Sequence, residues 1–561
     1  MEHALRILTL LRAAILAMAL AAGPACAAPR ALAAGAVASP DRYGALAAQA
    51  VLKAGGNAVD AAVATAFVLA VTYPEAGNLG GGGFMTLYVD GKPYFLDYRE
   101  TAPAGASAGM YLDAKGEPIV DLSLVGPLAA GVPGTVRGME AAHRRFGRLS
   151  WARDLAPAIR LAREGFVVSA AGAKERDGSR GAFARTNFDR YFAGMATGRR
   201  FRQPELADTL QRISANGAKG FYEGRTADLI VAQMARGPGK GLITRADLAG
   251  YKVAWRAPIE GEWRGFHVIT APPPSSGGIA LMQMLAMKAD DAALFRGVGL
   301  NSPQYLHLVS EIEKRVFADR AAYLGDPDFW KVPVAALTDP AYIARRAREV
   351  DPARPSVLAS VTPGLEKPQT THFSIVDRWG NAVSNTYTLN GSFGAGVVVE
   401  GAGFLLNDEM DDFSVKPGAP NLYGVVGGDA NAIAPFKRPL SSMSPTILTR
   451  DGKLAMVLGT PGGSRIFTSV FQVLADVYDF DLPLPRALAA LRFHHQLLPE
   501  NTLFSEPFAP FPAGLAAAMR ARGYRLQAQD FNGDVEAIQV VAGLPRAASD
   551  PRGRGVSLVV R

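Results

Sequence analysis

Cysteine is almost absent from this chain of 561 residues, which contains a single one, Cys26. Cys26 lies in an apolar N-terminal segment, and if cleavage follows Ala27 the mature protein has no thiol. A chain without thiols cannot form disulfide bonds, use a thiol nucleophile or bind a metal through thiolates. Histidine is also scarce, with 7 residues, and the H-E-x-x-H spacing of zinc hydrolases is missing. The sequence therefore predicts neither a thiol enzyme nor a zincin.

Long hydrophobic runs are missing as well. Residues 13–22 are nearly all apolar, but this run and the later run 61–71 are too short to cross a membrane. Residues 1–27 have the pattern of a signal peptide, with Arg6 and Arg12 flanking the apolar run and an Ala25-Cys26-Ala27 cleavage site. We therefore expect a periplasmic or secreted protein. The alternative, a lipoprotein acylated at Cys26, ranks second because residue 23 is Gly where that signal usually has Leu.

Several binding and catalytic signatures are missing. The formal net charge of +8 is spread along the chain without a basic stripe, so no nucleic-acid partner is expected. Four consecutive glycines at 80–83 are not followed by the Gly-Lys-Ser/Thr of a phosphate-binding P-loop. They also do not form a G-x-G-x-x-G motif that opens a helix. A G-x-S-x-G elbow is also missing, which argues against an α/β-hydrolase. The adjacent His494 and His495 would point to opposite sides of a strand, which favours packing or surface roles over metal binding.

Residues 370–389 have the pattern of a β-hairpin with an unusual entry. β-branched and aromatic residues alternate on both sides of a turn at 377–381, and a Pro-rich stretch at 351–369 precedes Thr370 and Thr371. Cleavage at this entry would expose a threonine whose own α-amino group, with a pKa of about 8, could serve as the base for its hydroxyl. Threonines are also common at strand starts, so other parts of the chain must support this hypothesis.

Hairpin and helix patterns together indicate the fold class. Hairpins are predicted near residues 90, 380, 451 and 550, the last from strands at 534–541 and 555–561. Helices are predicted at 43–71 with a break at 55–57, and at 134–146, 151–165, 204–216, 224–236, 277–290, 303–323 and 340–349. Because alternating β-α-β order is missing, we expect an α+β fold with antiparallel sheets covered by helices.

Three further segments stand out between these elements. Residues 272–278 (PPPSSGG) are predicted as a turn that opens a helix, and residues 407–413 contain four acidic side chains. Residues 416–439 are rich in Gly, Pro and Asn, and their length favours a functional loop over a plain connection.

Several of these motifs occur in one order that resembles a known family. They are the segment 369–372 (QTTH), Thr388 with Asn390, the acidic segment 407–413, and the segments 441–445 (SSMSP), 461–465 (PGGSR), 77–84 and 98–103 (YRETAP). Together they closely resemble the γ-glutamyltranspeptidase family from about residue 36 to the end of the chain. The resemblance implies the N-terminal-nucleophile hydrolase fold, a four-layer αββα sandwich with two antiparallel sheets between helical layers.

The same resemblance implies that the chain cleaves itself between Gln369 and Thr370. Residues 28–369 would form a large subunit and residues 370–561 a small subunit, which stay together as a heterodimer. Thr370 would be the nucleophile and Thr388 would tune its amine. Gly462 and Gly463, between a strand and a helix, would supply the oxyanion hole, a role that backbone N–H groups at a helix N-terminus suit.

The resemblance also implies a site for the zwitterionic end of a γ-glutamyl group. Arg99, Ser441 and Ser442 would bind the α-carboxylate, whereas Asn390, Glu409 and Asp412 would bind the α-ammonium. The segment 416–439 would be a lid over the pocket, with Tyr423 as its gate.

The expected activity is that of a γ-glutamyltransferase and glutathione hydrolase that needs no metal or organic cofactor. Its partners would be glutathione or other γ-glutamyl compounds and acceptor amino acids or peptides. One alternative is a glutaryl or cephalosporin acylase of the same family, although such acylases tend to differ at the position of Asp412. Another is a periplasmic amino-acid-binding protein that has this fold and no catalytic activity.

Overall fold

The computed structural model describes residues 31–357, 370–416, 428–530 and 533–561. The predictions made for the signal peptide, for Gln369 and for Tyr423 lie outside these residues. Within the described ranges, no helix is both long enough and apolar enough to cross a membrane.

The strands form two large sheets and two short pairs. They are β1 (Gly35–Ser39), β2 (Gly82–Val89), β3 (Lys92–Asp97), β4 (Phe166–Val167), β5 (Arg200–Phe201), β6 (Ala254–Arg256), β7 (Ile259–Trp263), β8 (Phe266–Thr270), β9 (Thr371–Val376), β10 (Ala382–Thr388), β11 (Thr446–Arg450), β12 (Lys453–Gly459), β13 (Thr502–Ser505), β14 (Arg525–Ala528), β15 (Glu536–Val541), β16 (Leu544–Ser549) and β17 (Val556–Val560).

The helices pack against the two large sheets or against one another. They are α1 (Arg42–Lys53), α2 (Ala58–Thr72), α3 (Thr135–Phe146), α4 (Trp151–Glu164), α5 (Ala170–Ser179), α6 (Phe188–Phe192), α7 (Pro204–Asn216), α8 (Lys219–Tyr222), α9 (Gly224–Gln233), α10 (Arg245–Gly250), α11 (Gly277–Asp290), α12 (Ala292–Phe295), α13 (Pro303–Tyr323), α14 (Val334–Leu337), α15 (Pro340–Ala347), α16 (Arg465–Tyr478), α17 (Leu484–Ala489) and α18 (Ala513–Ala521). Short 3₁₀ turns occupy Pro127–Ala129, Glu409–Asp412 and Asp429–Asn431.

The first large sheet is antiparallel throughout, with the strand order β17-β1-β9-β10-β2-β3-β6 among the described residues. The second is also antiparallel, with the order β16-β15-β12-β11-β8-β7. The sheets face each other, with β9 and β10 against β12. Helices α1 and α2 cover the first sheet, and α11 and α16 cover the second. The predicted αββα sandwich is thus confirmed.

Three layers of apolar side chains hold this sandwich together. One lies between the first sheet and its helices, a second between the other sheet and its helices, and a third, smaller one between the two sheets. Helix α2 shows the pattern in its sequence, because its residues are almost all apolar and all of them are buried. Burial of so much apolar surface is the main stabilising contribution to such a fold.

The C-terminal hairpin prediction is wrong in its pairing. β15 pairs with β16, a strand that the sequence pattern did not predict, and the next strand, β17, pairs with β1 in the other sheet. The other three predicted hairpins form, as β2–β3, β9–β10 and β11–β12. Their short turns fix the pairing locally, whereas the partner of β17 lies some 520 residues away in sequence and leaves no local signal.

The N-terminus of α2 anchors a buried acidic cluster. Asn57 and Asp60 form a capping box, in which the Asp60 carboxylate accepts the N–H of Asn57. Asp154 on α4 lies nearby, with a carboxylate oxygen 3.5 Å from Nε2 of His143. Asp154 is fully buried. Burial, and next to it the charge of Asp60, raises the pKa of Asp154 to about 8.

We expect this cluster to make the stability of the protein depend on pH. Between about pH 4 and pH 8 the unfolded chain has an ionised Asp154 while the folded chain keeps it protonated, so stability falls as pH rises through this window. Asp154→Asn should flatten this part of the profile of melting temperature against pH. The exposed Asp208 supplies the control variant, Asp208→Asn, which should leave the profile unchanged. An Asp154→Asn profile that matches the wild type would contradict the prediction.

Candidate active site

A small cavity at one end of the central strands collects most of the predicted site residues. Its space amounts to about 320 Å³, part of which is open to solvent. Nine residues proposed from the sequence line it: Arg99, Thr370, Thr388, Asn390, Glu409, Asp412, Ser441, Ser442 and Gly463. Gly462 precedes the lining residue Gly463 without lining the cavity itself, and Tyr423 lies outside the described residues. The remaining lining residues are Arg320, Met443, Ser464 and Ile466.

The β9–β10 hairpin positions the two threonines of the site. The last pair of this ladder is Thr371 with Tyr387, and extending the register by one residue sets Thr370 opposite Thr388. Because successive side chains point to opposite faces of a strand, Thr371 faces away from Thr370. Thr370 lines the cavity and is 5% exposed. The structure thus separates the two adjacent threonines.

Backbone packing around Thr388 explains the glycine run at 80–83. β2 pairs with β10, with Gly82 opposite Thr388. A Cβ on the preceding Gly81 would lie 2.0 Å from the carbonyl oxygen of Thr388, so only glycine permits this approach. The Thr388 hydroxyl in turn accepts the N–H of Asn390 at 2.8 Å. The glycines therefore serve the hairpin and not a phosphate.

Arg99 forms the centre of the charged part of the cavity. It follows β3, is 1% exposed, and ion-pairs with Glu409 and Asp412 of the 3₁₀ turn Glu409–Asp412. The Glu100 carboxylate is 3.8 Å from the same guanidinium. The Arg99 Nε also donates to the carbonyl oxygen of Pro439, at 3.3 Å. Three carboxylates therefore surround this one guanidinium.

Burial decides the ionisation of these acids. Loss of solvation raises the pKa of Glu409 and of Asp412, and the positive charge of Arg99 opposes the rise in both. The same balance raises the pKa of Glu100 to about 7. The excess of acidic groups holds the pKa of Arg99 above its ordinary value despite burial. The cavity wall, which also includes Arg320, therefore presents groups of both signs of charge.

The opposite wall comes from two loops near the second sheet. Ser441 and Ser442 are 3% and 7% exposed, and the Ser441 hydroxyl accepts the N–H of Met443 at 3.1 Å. Gly462 and Gly463 connect β12 to α16 with φ angles of +140° and +57°. The N–H of Arg465, the first residue of α16, donates to the Gly462 carbonyl at 3.0 Å. The N-terminal end of α16 therefore lies at the cavity, where its dipole favours negative charge.

The buried histidines near the site are poor bases. His372 on β9 is hydrogen-bonded through its ring nitrogens to the hydroxyls of Thr386 and Ser374, at 2.8 and 3.1 Å. Burial lowers the pKa of His372 to about 3. His494 and His495 are also fully buried, in line with a packing role. A base for a hydroxyl nucleophile must therefore come from another group.

Sequence reasoning missed Arg320, which reaches the cavity from α13. This helix carries Glu311, Glu313, Lys314, Arg315 and Asp319 as well, and all six charged side chains are buried. A helix whose charges do not fall on a single face is unusual on a protein surface. That pattern could have indicated buried ionic contacts, but not which of the charges faces a cavity.

A family model described as Gamma-glutamyltranspeptidase matches residues 44–560 of the chain. The chain belongs to the γ-glutamyltranspeptidase family. It is 62% identical over 554 residues to the "Glutathione hydrolase proenzyme" of Pseudomonas aeruginosa, over 98% of this chain and 99% of that protein. The resemblance inferred from the motifs is therefore confirmed.

Comparison with solved structures supports the same family assignment. A cephalosporin acylase from Bacillus halodurans superposes with a TM-score of 0.80 at 27% identity, over 94% of this chain and 96% of that one. A chain of γ-glutamyltranspeptidase from Pseudomonas nitroreducens, complexed with L-DON, is 60% identical with a TM-score of 0.57. That match covers 58% of this chain and 97% of the other. The same fold therefore occurs in a cephalosporin acylase and in a γ-glutamyltranspeptidase, so only the residues of the site can distinguish the two activities.

Proposed function

We propose that this protein is a γ-glutamyltransferase and glutathione hydrolase made as a proenzyme. The observation that carries the proposal is the single cavity shared by Thr370, the Arg99 guanidinium and the acidic turn. Autocleavage between Gln369 and Thr370 would yield a large subunit (28–369) and a small subunit (370–561). Membership of the family and the name of the Pseudomonas aeruginosa relative support this reading.

The chemistry would be acyl transfer through Thr370. Its freed α-amino group, with an ordinary pKa near 8, accepts the hydroxyl proton as Oγ attacks the γ-carbonyl carbon of the donor. The C–N bond of the γ-amide then breaks, the departing amine takes the proton, and a γ-glutamyl ester on Thr370 remains. Water or the amine of an acceptor amino acid or peptide attacks this ester and releases Thr370. No metal or organic cofactor takes part in these steps.

Thr388 and the two glycines would assist this reaction. The Thr388 hydroxyl, opposite Thr370, would hydrogen-bond the new amine and tune its basicity. The N–H groups of Gly462 and Gly463 would stabilise the oxyanion that forms when Oγ attacks, helped by the N-terminal end of α16. In the lid segment, Tyr423 would close the pocket and restrict water.

Recognition of the donor would use both signs of charge. Arg99, Ser441 and Ser442 would bind the α-carboxylate, while Asn390, Glu409 and Asp412 would bind the α-ammonium. Arg99 pairs directly with Glu409 and Asp412, so the two halves of the clamp are in contact. A zwitterionic substrate supplies one charge for each half, whereas a substrate with a single charge leaves one half without a new partner. This difference is the basis of specificity.

We expect this specificity to appear in a comparison of two anilide donors. A γ-glutamyl anilide should be cleaved about 10²-fold faster or more, in kcat/KM, than a glutaryl anilide, which lacks the ammonium. Asp412→Asn should reduce this ratio of kcat/KM values, because it should lower kcat/KM for the γ-glutamyl anilide. Asp208→Asn, which removes an exposed carboxylate on α7 that does not line the cavity, is the control variant and should leave the ratio unchanged.

Three outcomes decide between the alternatives. Faster cleavage of a glutaryl-cephalosporin than of the γ-glutamyl anilide would support an acylase of the same family. A chain that stays intact on a denaturing gel would support a binding protein. N-terminal sequencing should show that the small subunit begins at Thr370. A different first residue would contradict the proposed nucleophile.

The cellular setting follows from the N-terminal segment. We propose a periplasmic or secreted enzyme whose signal peptide, residues 1–27, is removed near Ala27. Mass spectrometry of the mature N-terminus would separate this from acylation at Cys26.

A further inference from the structure

The PPPSSGG turn at 272–278 is joined to the loop that carries Ser441 and Ser442. The N–H of Ser276 donates to the Ser441 carbonyl at 2.8 Å, and the N–H of Ser441 donates to the Pro274 carbonyl at 2.9 Å. The Ser275 hydroxyl donates to the Met443 carbonyl at 2.6 Å. These bonds fix the two loops side by side. The turn therefore does more than open helix α11.

Close packing confirms that the two loops are matched. A Cβ on Gly277, the first residue of α11, would lie 2.1 Å from the Ser444 hydroxyl and 2.5 Å from the Ser442 carbonyl oxygen. Neither distance can be tolerated by a larger residue without moving the loop. Backbone of the large-subunit segment thus supports the serine loop directly.

Arg320 and Ser276 extend this contact with a directed pair of hydrogen bonds. The Nε–H of Arg320 donates to the Ser276 hydroxyl oxygen at 3.1 Å. The Ser276 hydroxyl donates to the Ser441 carbonyl at 2.8 Å and lies 3.5 Å from the Ser442 hydroxyl. Ser276 is fully buried and Arg320 is 6% exposed.

The direction of these bonds determines how Ser276 holds the loop that carries Ser441 and Ser442. A guanidinium can only donate, so Arg320 occupies an acceptor position of the Ser276 oxygen and directs the serine proton elsewhere. Of the two neighbouring oxygens, the Ser441 carbonyl at 2.8 Å is the nearer acceptor for this proton, and the Ser442 hydroxyl lies at 3.5 Å. Ser276 therefore holds the backbone of Ser441 from inside the protein, while the next residue, Ser442, lines the cavity. A charged donor also makes the first bond stronger than one between neutral groups.

We propose that Arg320 and Ser276 form a positioning pair that holds Ser441 and Ser442 in place for the α-carboxylate of the donor. The inference rests on the proposed function of these two serines. Neither member of the pair needs to touch the substrate. Ser276 acts on the carboxylate side of the clamp, so its effect should depend on whether the donor has a carboxylate. Burial raises the pKa of Asp412, on the ammonium side, and the charge of Arg320 also opposes this rise.

The test compares three anilide donors with wild type and Ser276→Ala. They are the γ-glutamyl anilide, the glutaryl anilide, which keeps the carboxylate but lacks the ammonium, and the 4-aminobutyryl anilide, which keeps the ammonium but lacks the carboxylate. We expect Ser276→Ala to raise KM about 10-fold for both carboxylate donors, as expected for a lost hydrogen bond to a charged group. For the 4-aminobutyryl anilide KM should change less than about 2-fold. The kcat values should stay close to those of wild type.

Matched variants guard against a general loss of structure. Ser310→Ala removes another buried helical hydroxyl, which donates to the Leu306 carbonyl at 2.6 Å on α13. It should leave all three KM values unchanged. Arg320→Gln should raise KM for both carboxylate donors, as Ser276→Ala does. Arg320→Lys keeps the positive charge near Asp412 but not the Nε–H that bonds Ser276, so it should give the same donor pattern with a smaller effect. Cleavage into two subunits on a gel checks that each variant folds.

The outcomes separate the two levels of inference. In Ser276→Ala, an equal KM increase for all three donors, or no increase for any of them, would overturn the positioning role. If Ser276→Ala fails to form two subunits, the donor pattern of Arg320→Lys, which keeps the positive charge near Asp412, decides in the same way. A wild-type enzyme that does not cleave the γ-glutamyl anilide would instead overturn the proposed function.

Discussion

Thr370→Ala should remain a single chain and lose essentially all activity, by about 10⁴-fold or more in kcat. The substitution removes the hydroxyl that starts both the self-cleavage and the attack on the donor, while the rest of the cavity is unchanged. Thr371 cannot replace it, because the strand turns its side chain to the opposite face. A denaturing gel and an anilide assay measure the two losses together.

Thr370→Ser is the matched control for this prediction. It keeps a hydroxyl at the same position, so it should still be cleaved before residue 370 and retain measurable activity. Thr371→Ala removes the neighbouring hydroxyl and should produce two normal subunits. Two normal subunits from Thr370→Ala would contradict the assignment of the nucleophile.

Arg99→Gln is the second substitution with a large expected effect. It removes a buried cation that Glu409 and Asp412 both contact, and with it the proposed guanidinium–carboxylate bond to the donor. Leaving buried carboxylates without their counter-charge costs about 3–5 kcal/mol. We expect kcat/KM for the γ-glutamyl anilide to fall about 10³-fold, or roughly 4 kcal/mol.

The donor series used for Ser276 also serves here. Arg99→Lys keeps the charge but not the two-pronged geometry, so its loss should be intermediate. Arg99→Gln should affect the 4-aminobutyryl anilide less than the γ-glutamyl anilide, because only the latter has a carboxylate for Arg99. An equal loss with both donors would assign Arg99 a structural role alone. Both variants should still yield two subunits, since self-cleavage involves no zwitterion.

Local sequence patterns predicted the elements whose structure is determined by residues close together in the chain. The β9–β10 hairpin and helix α2 are examples, because alternation, turn residues and a capping box act over a few residues. The pairing of β17 with β1 could not be found in this way, since it depends on which sheet edge remains open after the rest has folded.

The same distinction applies to the site. Motif order placed Thr370, Arg99 and Asp412 in one function, and the structure brings all three to one cavity. It did not reveal that Arg99 pairs directly with Asp412, nor that Arg320 reaches the cavity. Both contacts join side chains from segments that are far apart in the sequence. Such contacts produce no characteristic residue spacing from which they could be predicted.

The strand order of the first sheet gives the proposed cleavage a consequence for assembly. β1 lies between β17 and β9, so after a cut before Thr370 a strand of one polypeptide is hydrogen-bonded on both edges by strands of the other. Dilution cannot separate two such chains, because separation requires both ladders to open, which amounts to unfolding. Refolding of the intact precursor is a first-order process, whereas reassembly of the cut chains is second-order and depends on concentration. Folding must therefore come before cutting, and the cut makes the folded state one that the separated chains cannot easily regain.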